Sequence, residues 1–98
     1  MNILLIDDLR NIPATHIARD YFAGIEALEL GVWDVLLLDH DLASYEDDGT
    51  ERTGYDVMCW LEEHPEYLPR KEIKIVSANP VGRARMQIVI DKLYLTGF

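Results

Sequence analysis

Cysteine occurs once in this chain, at Cys59, so no disulfide can form within it and no cysteine-based zinc cluster can be built. Met58 and Trp60 place that thiol in a helix-like stretch, where a buried, inert side chain is expected. Long apolar runs are missing too: none approaches the roughly 20 residues of a membrane-spanning helix. The N-terminus enters a strand-like segment at once, without a basic leader or a cleavage-type site. A cytoplasmic location is therefore expected, in the protein's own cell or in a host's. Positive charge is scarce, with 9 Lys and Arg against 18 Asp and Glu and a formal net charge of −9. That balance argues against binding double-stranded nucleic acid through its phosphates and leaves a small nucleotide open as a ligand. No repeat and no linker interrupts the 98 residues, so one α/β domain over 1–98 is expected, with a real core and little to spare.

What is present is concentrated. Ile3-Leu4-Leu5-Ile6 runs into Asp7-Asp8, and Val35-Leu36-Leu37-Leu38 runs into Asp39-His40-Asp41. Short apolar runs of this kind read as strands of a parallel sheet buried on both faces. In such sheets ligands bind beyond the carboxyl ends of the strands, near a topological switch point. Four carboxylates gathered there repel one another, and a cation, a bound proton or basic side chains must compensate.

The remaining chain supplies the rest of the architecture. The first strand is read as 2–6, followed by a loop to Pro13 that carries Arg10. Thr15–Arg19 reads as a short peripheral strand. Tyr21, Ile25 and Leu28 recur at helical spacing, with Asp20 as N-cap and Gly31 as the stop. Residues 43–53 are polar and acidic and read as a mobile loop. They do not fit a calcium loop, because the required glycine and terminal glutamate are not both in place. Thr53 caps a helix from Gly54 to His64, with Val57, Met58, Trp60 and Leu61 inward and Pro65 and Pro69 closing it. A fourth strand covers 73–76. Asn79 as N-cap with Pro80 at the first helical position opens the last helix, whose buried stripe is Met86, Val89, Ile90 and Leu93. The tail at 96–98 is expected to fray. This alternation implies a flavodoxin-like three-layer sandwich with a mostly parallel four-stranded sheet in the order 2-1-3-4.

That order places the ends of strands one, three and four together. Asp7, Asp8, Asp39 and Asp41 then offer oxygen ligands suited to Mg²⁺ or Mn²⁺. Ser77, Asn79 and the start of the last helix offer hydrogen-bonding groups and positive potential for an anion. Arg10 and Arg83 add planar guanidinium forks that match phosphate. His40 is placed to act as general acid or base, or as a ligand.

In outline this set resembles a response-regulator receiver domain, with Asp7 and Asp8 after the first strand, Asp39 after the third and Ser77 after the fourth. A receiver also carries a lysine after a fifth strand, and none is available here. The chain more closely resembles the cyclic-phosphate-processing receiver domain family. The residues that carry this are Asp7-Asp8-Leu9-Arg10 with Pro13, Leu38-Asp39-His40-Asp41-Leu42, Thr53-Gly54-Tyr55-Asp56, and Ser77 through Arg83 with Met86. The resemblance implies a receiver-like fold lacking an early helix and a role in processing cyclic or terminal nucleotide phosphates. It assigns Asp7, Asp8, Asp39, His40, Asp41, Ser77 and Asn79 to the active centre, with Arg10 and Arg83 on phosphate. Catalysis is accordingly expected from Asp39, His40 and Asp8, and phosphate binding from Arg10, Ser77, Asn79, Gly82 and Arg83. The divalent cation falls to Asp7, Asp8, Asp39 and Asp41. The family reads His-Ser at the end of strand four, whereas this chain reads Val76-Ser77. Proton transfer is then lost or falls to His40, and a non-catalytic module that binds a phosphorylated ligand is the alternative. Residues 43–53 are expected to serve as a lid or as a protein-contacting arm.

Overall fold

The computed structural model describes residues 1–95, so the tail at 96–98 lies outside the described residues. The two apolar runs form β1 (Ile3–Ile6) and β3 (Val35–Leu38), paired in parallel along their whole length from Ile3↔Val35 to Ile6↔Leu38. β2 (His16–Ala18) adds to the outer side of β1, and β6 (Glu72–Ile75) adds to the outer side of β3. The sheet is thus all parallel in the order β2-β1-β3-β6, the arrangement expected for its four strands. Several boundaries move by a residue, with β2 running from His16 to Ala18 rather than from Thr15 to Arg19. Asn2 precedes β1 and accepts the Asp34 and Val35 N–H groups on its carbonyl at 2.8 and 3.3 Å. β6 starts at Glu72 and ends at Ile75, leaving Val76 just beyond it.

Strand side chains alternate between the two faces. Leu4, Ile6, Leu36 and Leu38 point to one face and are fully buried. Each contributes roughly 1.5–3 kcal/mol of transfer free energy. They meet helices α1 (Tyr21–Leu30), α2 (Gly54–Glu63) and α3 (Pro80–Leu95) through Leu28, Val57, Met58, Leu61, Met86 and Ile90. Leu5, Val35 and Leu37 point to the other face, flanked by Ile3, Ile17 and Val76. No helix among the described residues packs on that side. The third layer is the connection between β1 and β2, which lays Ile12 and Ala14 across it.

The helix starts follow from their caps. Asp20 Oδ1 accepts the Ala23 N–H at 2.7 Å. Thr53 and Asp56 form a reciprocal capping box at the head of α2. Asn79 Oδ1 accepts the Gly82 N–H at 3.1 Å, with Pro80 opening α3. No helix among the described residues is long and apolar enough to cross a membrane.

Segment 43–53, expected as a mobile loop, is a small antiparallel hairpin of β4 (Ser44–Tyr45) and β5 (Glu51–Arg52). Its turn uses Gly49 at a φ of 88°, a conformation suited to glycine. Arg52 closes it through Glu46 at 3.1 Å. Buried Ser44 anchors it to the rest of the fold, its Oγ accepting the Tyr21 N–H at 2.9 Å and donating to the Leu42 carbonyl at 3.1 Å.

Candidate functional site

β1 delivers Asp7 into the interior at the carboxyl edge of the sheet, where its side chain is fully buried. A buried carboxylate must be satisfied, and this one folds the chain around itself. Its Oδ1 accepts the Leu9 and Arg10 N–H groups, each at 2.9 Å, and its Oδ2 accepts Arg10 Nη1 at 3.1 Å. Burial alone would push the Asp7 pKa up, but these hydrogen bonds and the guanidinium outweigh it and hold the group below the usual carboxylate range.

Asp39, at the end of β3, has the opposite balance. Burial raises its pKa first, and the neighbouring Asp7 charge raises it further. The His40 N–H, which donates to Oδ1 at 2.8 Å, Arg10 and Ser77 offset only part of this. Arg10 Nη1 lies 3.4 Å from Asp39 Oδ2 and bridges the two carboxylates. Arg19 braces the same turn, donating to the Arg10 carbonyl at 2.7 Å and to the Asn11 side chain. Its position after a short edge strand gave no sequence signal of this role.

One carboxylate oxygen from each of Asp7, Asp8 and Asp39 lies within 4.8 Å of the other two, close enough to share a single ion. An all-oxygen donor set suits a hard divalent cation. The residues therefore fit Mg²⁺ or Mn²⁺, with the Arg10 guanidinium supplying positive charge at the same place. Asp41 does not join this group. It is exposed, and its Oδ1 lies 2.9 Å from His40 Nδ1. Two acceptors cannot share that contact, so Nδ1 carries the proton there and Nε2 is left as the other ring position.

Two glycines hold the Asp39–His40 turn. A Cβ on Gly82 would come within 2.5 Å of the His40 ring, and a Cβ on Gly54 within 2.0 Å of the Asp39 carbonyl oxygen. Gly54 N–H also donates to the His40 carbonyl at 2.8 Å. Gly82 thus seats the imidazole against the first turn of α3. Gly54 brings the head of α2 under the same turn, a role that the Thr53–Asp56 string signalled without identifying.

Two residues beyond β6, buried Ser77 accepts the Asn79 N–H on Oγ at 3.0 Å, and Asn79 Nδ2 lies 3.5 Å from His40 Nδ1. Arg83 Nη1 donates to the Ser77 carbonyl at 2.8 Å, which ties its guanidinium to the end of the strand. Between these elements opens a cleft of about 370 Å³, lined by Asp8, Leu9, Arg10, Asp39, Asp41, Ser77, Ala78 and Asn79. Asp7, His40, Gly82 and Arg83 are not part of that lining. Val76 faces away, packed on the second face with Leu5, Val35 and Leu37.

A parallel sheet in this order, with an acidic pair after β1, an aspartate after β3 and a serine after the last strand, defines a receiver-like α/β protein. The family model of the cyclic-phosphate processing receiver domain matches residues 2–92, and the chain belongs to that family. No curated protein and no solved structure gives a significant match. The family's name carries a role in cyclic-phosphate processing.

Proposed function

We propose that the protein is a metal-dependent phosphoesterase that opens a cyclic nucleotide phosphate or removes a terminal one. The observation that carries this reading is the meeting of three carboxylates, within 4.8 Å of one another, with Arg10 and the capped head of α3 around one cleft. In hydrolysis a water oxygen bonds to phosphorus, one P–O bond breaks and the leaving oxygen takes a proton. A divalent cation held by Asp7, Asp8 and Asp39 would polarise the phosphoryl oxygens and lower the pKa of bound water. Arg10 and Asn79 line the cleft on opposite sides and would orient the phosphate oxygens. His40, held by Asp41 and Gly82 between the cleft-lining Asp39 and Asp41, would be the imidazole to pass a proton.

The test is a turnover screen of 2′,3′-cyclic and 3′,5′-cyclic nucleotides with Mg²⁺, Mn²⁺ or EDTA, with Asp39→Asn as control. Metal-dependent product that disappears in the variant supports the esterase. Equal product in the variant would sink it. Val76, half-buried against the second face where the resemblance leads one to expect histidine, favours a second reading: a module that binds a phosphorylated nucleotide, or a protein through the 44–52 hairpin, without turnover. That reading predicts ligand-dependent thermal stabilisation with no product in the same samples.

A further inference from the structure

A second cleft lies away from the mouth. It has a volume of about 450 Å³ and lies at the opposite end of the sheet, between β2 and the last turns of α1, lined by His16, Glu26, Ala27, Leu30 and Trp33 among others. A smaller cleft of about 230 Å³ adjoins it, sharing Leu30 and Trp33 and adding Glu29, Val32, Glu66 and Tyr67. Leu30 is the ridge between them and is 80% exposed, and Val32 beside it is 62% exposed.

The wall of this site is built. Trp33 tucks back under α1 and donates its Nε1–H to the Ala27 carbonyl at 2.8 Å. Gly31 permits this, since a Cβ there would come within 2.9 Å of the indole ring. His16 stacks on the same indole with centroids 6.2 Å apart. The indole has thus placed its polar atom inward and presents apolar surface.

The carboxylates Glu26, Glu29 and Glu66 are the charged side chains that line the two clefts. Glu26, Glu29 and Glu66 make no ion pair among the described residues, whereas Arg70, nearby through its N–H to the Trp33 carbonyl, is paired with Asp34 at 3.5 Å. The last turn of α1 carries no basic residue to offset the negative end of the helix dipole. A surface of this kind complements apolar anchors flanked by cations.

We propose that this end of the molecule docks a basic amphipathic segment of a partner protein. Apolar side chains would settle on either side of Leu30, and Lys or Arg would reach Glu26, Glu29 and the last carbonyls of α1. Because the site sits at the amino ends of the strands, its occupant leaves the phosphate cleft open. The proposal is independent of the esterase reading.

The test uses the full chain, ¹⁵N-labelled, titrated with a short helical peptide carrying a leucine stripe and lysine flanks. A sequence-matched peptide with glutamate flanks serves as the control. The lysine peptide is expected to shift the Trp33 indole resonance and the Leu30 and Val32 amides saturably. Leu30→Asp and Glu29→Lys, both at exposed positions, are each expected to weaken this at least about tenfold, and added salt should weaken it further. Equal shifts with the glutamate peptide would overturn the proposal, as would shifts confined to residues 7–10 or none at Trp33. Shifts at Trp33 that grow with protein concentration alone would also overturn it, by making a second copy the occupant.

Discussion

Replacing Gly82 with alanine adds a methyl group 2.5 Å from His40 Cδ2 and Cγ and 2.9 Å from Nδ1. Carbon atoms pack at about 3.5–4.0 Å, so the ring must withdraw by about 1 Å. Forcing one extra methyl into a filled site costs roughly 1–3 kcal/mol. Alanine returns up to about 1 kcal/mol of helix propensity at the same position. The net change is therefore a destabilisation of about 0–3 kcal/mol. In a His40→Ala background the obstacle is gone, and the same substitution should stabilise by up to about 1 kcal/mol. The reversal of sign is what isolates the contact, because propensity and unfolded-state effects are common to both backgrounds. Thermal unfolding of the four proteins reads it directly, since 1 kcal/mol moves Tm by about 4–8 °C in a domain of this size. Equal shifts in both backgrounds would refute the claim that Gly82 seats the imidazole. If the protein turns over a cyclic phosphate, Gly82→Ala alone should lower kcat on the order of 10²-fold, the scale of a 1 Å misplacement.

Gly54→Ala should be worse than Gly82→Ala, because its Cβ would strike the Asp39 backbone oxygen at 2.0 Å and backbone cannot rotate away; a denaturant titration should show a loss of about 3 kcal/mol or more, and a near-neutral result would refute the packing. Asp39→Asn should raise stability at neutral pH in EDTA. The folded pKa of Asp39 is raised above its unfolded value of about 3.9, so wild-type stability falls as pH climbs from there through the folded pKa, and the variant's advantage should vanish below about pH 4. Asp7, held below its ordinary value, works in the other direction, and its contribution should be lost as pH drops below about 3.9; Asp7→Asn should therefore destabilise at neutral pH in melts across the range. Mg²⁺ or Mn²⁺ should raise the Tm of wild type and of Asp41→Asn but not of Asp7→Asn, since Asp41 stands outside the three-carboxylate group. Loss of the metal response in Asp41→Asn would return that residue to the ligand set.

The parts legible in the sequence are those with a strong period or a cap. β1 and β3 are runs of apolar residues that only a sheet covered on both sides can bury, and Asp20, Thr53 and Asn79 each open a helix where their side chains promised. The strand-end rule then gathered Asp7, Asp8, Asp39, Ser77 and Asn79 without any knowledge of contacts. What stayed hidden depends on pairs far apart in the chain. The β4–β5 hairpin has only two residues per strand, all of them polar or aromatic, and owes its place to Ser44 bonding the head of α1. Asp41 looks like a fourth ligand in the string Asp-His-Asp, but its carboxylate turns to the imidazole beside it. Arg83 looks free in the sequence, but a strand-end carbonyl holds it.

The connection between β1 and β2 has a consequence for redesign. Loops are ordinarily where insertions are tolerated. This one lays Ile12 and Ala14 over the second face of the sheet while Asp7 and Arg10, a few residues earlier, frame the mouth. Its length is therefore a gauge: one residue added or removed shifts either the cover over Leu5 and Leu37 or the guanidinium between Asp7 and Asp39. The hairpin tip at Asp47–Thr50 is exposed, turned by a glycine with open space around it, and fastened at its base rather than its apex. A tag, a fluorophore or a foreign epitope belongs there, and the short stretch after β1 is the place to leave untouched.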